Sequence, residues 1–296
     1  MSSEKLTVAV LGPGGVGGLL AALLARAGHR VTCLAGEATA EVLRTRGIQI
    51  RSGQFGDFTV PVEAAGELDG PVDAVLVAVK LTTLDAALAR VPAKALGDAL
   101  VVPFLNGVEH PALLRERYPE AQVAPGVIRV ESTRVAPGVI EHGSPFTEID
   151  LAGDTVPRAG LEALAGALAE AGPVARVVDG EAAALWAKMA FLAPFALLTT
   201  RYGVSVGEVR TVHREELTAL VEETAAVSGA CGGPRRSGRG ARPVRRVPRA
   251  VQVVDAAGRG GGASAGAGRD RRGVAAGGGA ARGGCAGGRA AGPRGG

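Results

Sequence analysis

The chain has 296 residues, enough for two domains of ordinary size, and carries a formal net charge of +4. Its charge is unevenly distributed. Residues 229–296 hold 14 Arg, no Lys and two acids, whereas residues 1–228 hold 19 Lys and Arg against 27 Asp and Glu. The larger part is acidic, which argues against nucleic acid as a main partner. Three scattered cysteines exclude a disulfide framework and form no metal-binding spacing.

Targeting and membrane signals are weak in this sequence. No secretory signal precedes the first apolar run, and no uninterrupted apolar run is long enough to span a bilayer. We therefore expect a cytoplasmic protein without a membrane partner.

The first predicted elements are a buried strand over residues 6–11 and a helix over residues 17–27. The residues at their junction are Gly12, Pro13, Gly14, Gly15, Val16 and Gly17. They match G-x-G-x-x-G, in which the glycines allow a tight turn, the approach of a pyrophosphate and close helix packing. Phosphates bind at helix N-termini, so the segment predicts a dinucleotide site; the alternative is an ordinary strand-to-helix turn.

The second predicted strand, over residues 30–35, bears on the choice of cofactor. In an NAD site, an acid near the end of this strand binds the ribose 2′-hydroxyl. Glu37 lies one or two residues beyond that position and could equally be a solvated loop acid. An NADP site requires a basic group there, and neither Ala35 nor Gly36 supplies one.

Further strands and helices follow in alternation. We predict a helix over 41–46, a hairpin of 48–50 with 55–62, a strand over 72–79, a helix over 83–90, a strand over 100–105, short strands within 123–132, 138–142 and 146–151, a helix over 161–171 and a strand over 175–178. The three short strands are expected to extend the sheet in antiparallel fashion. The alternation predicts an α/β fold with a Rossmann-type doubly wound sheet domain over residues 1–178.

Two polar residues follow buried strands of this predicted sheet. Lys80 follows the strand over 72–79, and Asn106 follows the strand over 100–105. The carboxyl ends of parallel strands are where open α/β sheets bind ligands. Alternatively, Lys80 is the first solvated residue after its strand, and Asn106-Gly107 is a turn.

From residue 179 the pattern becomes helical, which predicts an all-α domain that begins over residues 179–228. Leu185, Trp186, Met189 and Leu192 recur at helical spacing and are expected to face a core, and Pro194 is expected to kink or break the helix. Lys188 lies in the same apolar segment. A buried lysine has a lowered pKa and can transfer protons, whereas a lysine at the surface keeps its ammonium in water.

Taken together, these features resemble the ketopantoate reductase (2-dehydropantoate 2-reductase) family. The matching segments, in the family's order and spacing, are Gly12-Pro-Gly-Gly-Val-Gly17, Gly28-His29-Arg-Val31, Val79-Lys80, Asn106-Gly107-Val108-Glu109, Pro137-Gly138-Val-Ile-Glu-His142 and Leu185-Trp186-Ala-Lys188. They cover about residues 6–228.

The resemblance implies NADPH-dependent reduction of an α-keto acid of the 2-dehydropantoate (ketopantoate) type to a pantoate-type hydroxy acid. By this resemblance, residues 12–17 hold the pyrophosphate of NADP, Lys80 and Asn106 border the nicotinamide and the substrate, and Lys188 donates the proton. A small-molecule keto acid is then the partner, and a homodimer is compatible with the family.

Departures from the family pattern affect both substrate and cofactor. Leu192 and Ala196 stand where the ketopantoate-specific enzymes have two substrate-binding asparagines. Gly36 stands where an arginine often grips the NADP phosphate. NAD therefore remains an alternative cofactor. Nucleotide binding without turnover remains an alternative function.

The Gly/Arg-rich residues 229–296 are the largest departure. They contain 22 glycines and no Leu, Ile, Phe, Met, Trp or Tyr, so we expect truncation or disorder of the helical domain from about residue 229. Read one nucleotide late, codons for residues 253–258 can encode Ser-Ser-Met-x-x-Asp, and those for 265–270 can encode Leu-Glu-Leu-Asp-Ala-Ile. Both sequences are typical of the family's C-terminal domain, which suggests an out-of-frame translation and impaired activity.

Overall fold

Five parallel strands form the sheet that organises residues 5–233, the part of the chain that the computed structural model describes. The strands of the whole described chain are β1 (Thr7–Leu11), β2 (Arg30–Leu34), β3 (Ile48–Ser52), β4 (Phe58–Val60), β5 (Glu63–Ala65), β6 (Ala74–Val77), β7 (Leu100–Pro103), β8 (Gly126–Arg129), β9 (Ser132–Ala136), β10 (Val139–His142), β11 (Glu148–Ala152) and β12 (Val174–Val178). The helices are α1 (Gly15–Arg26), α2 (Glu37–Arg46), α3 (Leu84–Leu88), α4 (Ala93–Leu96), α5 (His110–Arg115), α6 (Arg158–Glu170), α7 (Glu181–Tyr202), α8 (Val206–Thr211) and α9 (Arg214–Ala230), with short 3-10 turns at Leu81–Thr83 and Glu120–Gln122.

The strand order of this sheet is β5-β2-β1-β6-β7. The chain moves outward from β1 through β2 to β5, then returns to the other side of β1 at β6. Val8 of β1 is level with Val31 of β2 and with Ala74 of β6. The direction of winding therefore reverses between β1 and β6, which confirms the predicted doubly wound α/β fold. A crevice for ligands opens at the carboxyl ends of strands at such a point.

Strand β1 is apolar throughout because both faces of the sheet are covered. Val8 and Val10 pack with the leucines of α1 on one face, while Ala9 and Leu11 pack with α3 and α4 on the other. A strand buried on both faces needs no polar alternation. Eight of the twelve residues of α1 are buried, so this helix is held by packing on nearly all sides.

The prediction of an antiparallel extension of the sheet over residues 123–151 is wrong. These strands enter two separate mixed sheets, ordered β4-β3-β10-β9 and β12-β11-β8. Strand β10 pairs in parallel with β3, and β11 pairs in parallel with β12. Both partners are distant in the sequence, and local apolar runs do not encode which distant strand they join.

Helix α7 is longer than predicted, because it continues through Pro194 to Tyr202. Of the kink or break expected at Pro194, the break is wrong, because the helix continues past this residue; Pro194 is itself buried, and Leu198 one turn later is buried too. Of the four residues expected to face a core, Leu185 is buried, whereas Trp186, Met189 and Leu192 remain partly exposed. The buried stripe instead includes Glu181, Ala184 and Leu185.

Helix α7 is also long and apolar enough to cross a membrane by length and composition, with a mean hydropathy of 1.6 over its apolar window. Lys188 interrupts the apolar run of this helix, which is why no membrane-spanning run was predicted. One such helix is weak evidence, since core helices of soluble proteins pass the same test. Truncation or disorder was expected from about residue 229. Residues from 234 onward lie outside the described chain.

Candidate active site

The glycine-rich segment forms the turn between β1 and α1, as predicted. Gly12 has a φ of +83°, and a Cβ there would lie 2.5 Å from Cγ1 of Val79 in the segment after β6. A Cβ at Gly17 would lie 2.3 Å from the carbonyl oxygen of Gly12. The first glycine therefore permits the backbone conformation and the third permits close packing of α1 on the turn.

Gly14 differs from its neighbours because the space beside it is open. The nearest atom to a Cβ at Gly14 would be 3.9 Å away, whereas a Cβ at Gly15 would lie 2.1 Å from the carbonyl oxygen of Ser132 in β9. Strand β9 thus covers one side of the turn and leaves the side at Gly14 uncovered. No side chain caps the N-terminus of α1. This open turn, with free N–H groups at a helix start, fits a dinucleotide pyrophosphate.

The acid considered for the ribose, Glu37, lies in the first turn of α2 and is paired with a base. Nη2 of Arg44 lies 2.5 Å from Oε1 of Glu37 and 2.8 Å from Oε2 of Glu41. Gly36 immediately before it is the N-cap of α2. The carboxylate of Glu37 is therefore already engaged within its own helix.

Lys188 and Asn106 meet directly, although 82 residues separate them. Nζ of Lys188 donates a hydrogen bond to Oδ1 of Asn106 at 2.7 Å. Asn106 follows β7 at the carboxyl edge of the sheet, the edge that also carries the glycine-rich turn after β1. The contact brings α7 to this edge and joins two residues that the sequence analysis had singled out separately.

The environment of Lys188 favours proton transfer near neutral pH. Burial, together with the positive charge of Arg129, lowers the pKa of Lys188 to about 8. Nη1 of Arg129 in turn donates to Oδ2 of buried Asp150 at 2.8 Å, which fixes the guanidinium in place. An ammonium with this pKa is still protonated at pH 7 and gives up its proton more readily than an ordinary lysine.

His110, at the start of α5, is a site residue that the sequence analysis did not identify. Its side chain is buried, and neither ring nitrogen has a hydrogen-bond partner within residues 5–233. Burial and the charge of Lys188 lower the pKa of His110 to about 4, so the ring is neutral at pH 7. Its position four residues after Asn106 was the available sequence signal. Arg129 was also missed, although a charge within an otherwise apolar strand was visible.

The beginning of α7 is anchored by a buried carboxylate to the end of α5 and to the segment after β11. Nη2 of Arg115 donates to both carboxylate oxygens of Glu181 at 2.7 Å, and the backbone N–H of Asp154 donates to Oε1 of Glu181 at 3.0 Å. Residues seven apart lie on the same face of a helix. The anchored face that carries Glu181 therefore also carries Lys188, which is consistent with the contact between Lys188 and Asn106 after β7.

Lys80 lies after β6 at the same edge, but it does not join the contact between Lys188 and Asn106. It is exposed, and its carbonyl oxygen accepts hydrogen bonds from the N–H and hydroxyl of Thr83. Its ammonium makes no hydrogen bond or ion pair with the other described residues. The structure thus leaves the side chain of Lys80 available at the mouth of the crevice.

Comparison with known proteins agrees with this fold. The sequence profile described as "Ketopantoate reductase PanE/ApbA" matches residues 8–152. An "Uncharacterized oxidoreductase YkpB" of Bacillus subtilis is 30% identical over 217 residues, which are 71% of this chain and 70% of that protein. The solved structure of a PanE/ApbA family ketopantoate reductase from Ralstonia eutropha is 30% identical, with a TM-score of 0.66 over 77% of this chain and 76% of that one.

A solved D-mandelate dehydrogenase with NADH and anilino(oxo)acetate shares the fold, with a TM-score of 0.69 over 76% of this chain and 74% of that one at 19% identity. The fold and the comparisons define an NAD(P)-dependent oxidoreductase that acts on a keto or hydroxy group. Within that class, the chain belongs to the ketopantoate reductase family. It uses a nicotinamide cofactor and a small keto-acid substrate.

Proposed function

We propose that this protein reduces an α-keto acid of the 2-dehydropantoate type to the corresponding 2-hydroxy acid with NADPH, and that Lys188 donates the proton. The observation that carries this proposal is the hydrogen bond from Nζ of Lys188 to Asn106 at the carboxyl edge of the sheet. That edge is where sheets of this topology bind their ligands. The domain division that we propose, with the helical region beginning at about residue 179, makes α7 one wall of the cleft.

The mechanism assigns separate tasks to the residues of this chain. Residues 12–17, with Lys80 beside them, bind the dinucleotide, which when bound supplies a hydride to the keto carbon. Lys188 delivers a proton from Nζ to the keto oxygen and stabilises the negative charge that develops on it. Asn106 holds Nζ in position and borders the substrate.

The charges near Lys188 favour an anionic substrate. Arg129 and Lys188 are both positive, and Asp150, which pairs with Arg129, is buried behind it. A positive potential in a cleft attracts a carboxylate and raises its local concentration. Leu192 and Ala196 on α7 supply no hydrogen-bonding side chain, so we propose that the substrate is a keto acid with a less polar side chain than ketopantoate itself.

The test of this function is a series of keto acids presented to the purified chain with NADPH, with the loss of reduced nicotinamide as readout. We expect reduction of 2-keto acids and little reduction of ketones without a carboxylate. Lys188→Ala should lower kcat/KM by about 10²–10⁴ because the proton donor is removed, while NADPH binding is retained. Lys94→Ala, at an exposed lysine of α4, is the matched control and should change neither. Equal turnover by wild type and Lys188→Ala would contradict the proposal.

A second candidate function is nucleotide binding without efficient turnover, and the composition of residues 229–296 favours it. Under this alternative, these residues are an out-of-frame translation and the chain as written has impaired activity. Resequencing the gene tests the first point, and stop codons in the shifted frame would refute it. Turnover of ketopantoate on the order of 1 s⁻¹ or more would refute the second.

A further inference from the structure

The guanidinium of Arg90 lies at the carboxyl ends of β2 and β5. Arg90 follows α3, and its Nη1 donates to the carbonyl oxygens of Ala35 at 3.1 Å and Gly66 at 2.6 Å. Ala35 and Gly66 each directly follow one of these two neighbouring parallel strands. In sheets of this topology, the end of the second strand is where the adenosine ribose of a dinucleotide is recognised. Arg90 therefore supplies a positive charge there, although neither residue 35 nor residue 36 is basic.

Two glycines leave space around this guanidinium. A Cβ at Gly36 would lie 3.8 Å from Nη2 of Arg90, and a Cβ at Gly66 would lie 3.8 Å from Nη1. A guanidinium has five N–H donors, and the two carbonyl oxygens engage only Nη1. Among residues 5–233, Nη2 and Nε of Arg90 make no hydrogen bond, and the side chain is partly exposed. Donors are thus left for an anion that approaches past Gly36.

The acid considered for the ribose at this end of the sheet, Glu37, is already paired with another base. Glu37 and Glu41 are both engaged by Arg44. No carboxylate of the described chain forms an ion pair with Arg90. An acid free to bind the 2′-hydroxyl of NAD would repel a phosphate at the same place. The arrangement instead leaves a positive charge without a counter-ion beside an open surface.

We propose that Arg90 binds the 2′-phosphate of NADPH and makes this chain prefer NADPH over NADH. This inference rests on the proposed function, which it deepens by naming the residue that selects the cofactor. A guanidinium held by two backbone carbonyl groups is preorganised, and its remaining planar donors match the oxygens of a phosphate. The basic group comes from the end of α3 rather than from the strand end itself, which is why position 36 can be glycine.

The test is a calorimetric titration of the full chain with NADPH, NADH and adenosine 2′,5′-bisphosphate, without keto acid. In Arg90→Gln, we expect the dissociation constants of NADPH and the bisphosphate to rise by about tenfold or more, because a charged hydrogen-bond donor is lost. The dissociation constant of NADH should stay unchanged. Arg51→Gln, which removes an exposed arginine of β3, is the matched control and should alter none of the three.

A second variant keeps Arg90 and its contacts to the backbone. Gly36 has a φ of −66°, which any residue can adopt, so Gly36→Glu is expected to fold and to place a carboxylate next to Nη2 of Arg90. This variant should raise the dissociation constant of NADPH by about tenfold or more and leave that of NADH unchanged. Equal weakening of both cofactors, or of neither, in the two variants would overturn the inference. Because only binding is measured, absence of keto-acid turnover would contradict the proposed function and leave this result standing.

Discussion

Helices α1 and α9 differ both in composition and in surroundings, since α1 is mostly apolar whereas α9 carries four glutamates and an arginine. In α1, eight of twelve residues are buried. The helix packs against the five-stranded sheet, α6 and the four-stranded sheet that contains β3, β9 and β10. In α9, only Ser228 of seventeen residues is buried. The turn after β1 is therefore followed by a largely buried helix, whereas α7 and α9 expose apolar side chains such as Phe191, Leu197 and Val227. The difference teaches that α1 contributes far more to the packed core of the described chain than α9 does.

The largest expected effect on stability comes from substitution of Gly17, the third glycine of the G-x-G-x-x-G motif. Gly17→Val would push a side chain into the carbonyl oxygen of Gly12, which is 2.3 Å from the position of its Cβ. We expect overpacking to cost about 3 kcal/mol or more, so that the chain unfolds at lower temperature. Gly14→Val is the matched variant, because open space surrounds that Cβ position. This variant should keep the melting temperature of the wild type and lose nucleotide binding. A loss of folding in both variants would contradict the assignment of an open nucleotide-binding turn at Gly14.

A direct comparison of the two helices uses one apolar truncation in each. Leu20→Ala removes a fully buried side chain of α1 and should cost about 2–5 kcal/mol of unfolding free energy. Val227→Ala removes a side chain of α9 that is 50% exposed, and should change the free energy by less than about 0.5 kcal/mol. Denaturant unfolding of both variants measures the difference. Similar losses would mean that α9 is packed against surface that the described chain does not contain.

The anchor of α7 should show an intermediate effect. Glu181→Gln removes the charge that pairs with Arg115 and should cost about 1.5–3 kcal/mol, because the pair is mostly buried. Loosening the start of α7 should also lower kcat more than it weakens NADPH binding, since Lys188 lies two turns along the same face. Arg158→Gln, in an exposed pair with Glu162 and Asp179, is the control and should be nearly neutral. An unchanged kcat in Glu181→Gln would contradict the claim that the ion pair of Glu181 with Arg115 positions Lys188.

Much of the sheet domain could be predicted because its signals are local. The apolar run of β1, the glycines after it and the alternation of strands and helices all depend on neighbouring residues. The pairing of β10 with β3 could not be predicted, because it joins segments about 90 residues apart in sequence. The burial of α7 was also misjudged, because Glu181 and Ala184 are buried beside Leu185. Trp186, Met189 and Leu192, which were expected to face a core, remain partly exposed.

Individual residues of the candidate site could be predicted from the sequence, but the contacts between them could not. Lys188 and Asn106 were each identified from local context, yet nothing in the sequence gave the contact between them. Arg129 lowers the pKa of Lys188, and Lys188 lowers the pKa of His110, only because the folded chain brings these residues close together. Arg90 was missed for the same reason, since it follows α3 in the sequence and reaches the end of β2 in space.

The pH dependence of kcat/KM for keto-acid reduction tests the role of Lys188 most directly. A proton donor must be protonated, so the rate should be full below the pKa of about 8 and fall as pH rises through it. Arg129→Gln removes a positive charge near Nζ, which should raise the pKa of Lys188 and move the fall to higher pH. A profile that stays flat from pH 7 to 10, about the range that brackets this pKa, or one that Arg129→Gln leaves in place, would contradict the account.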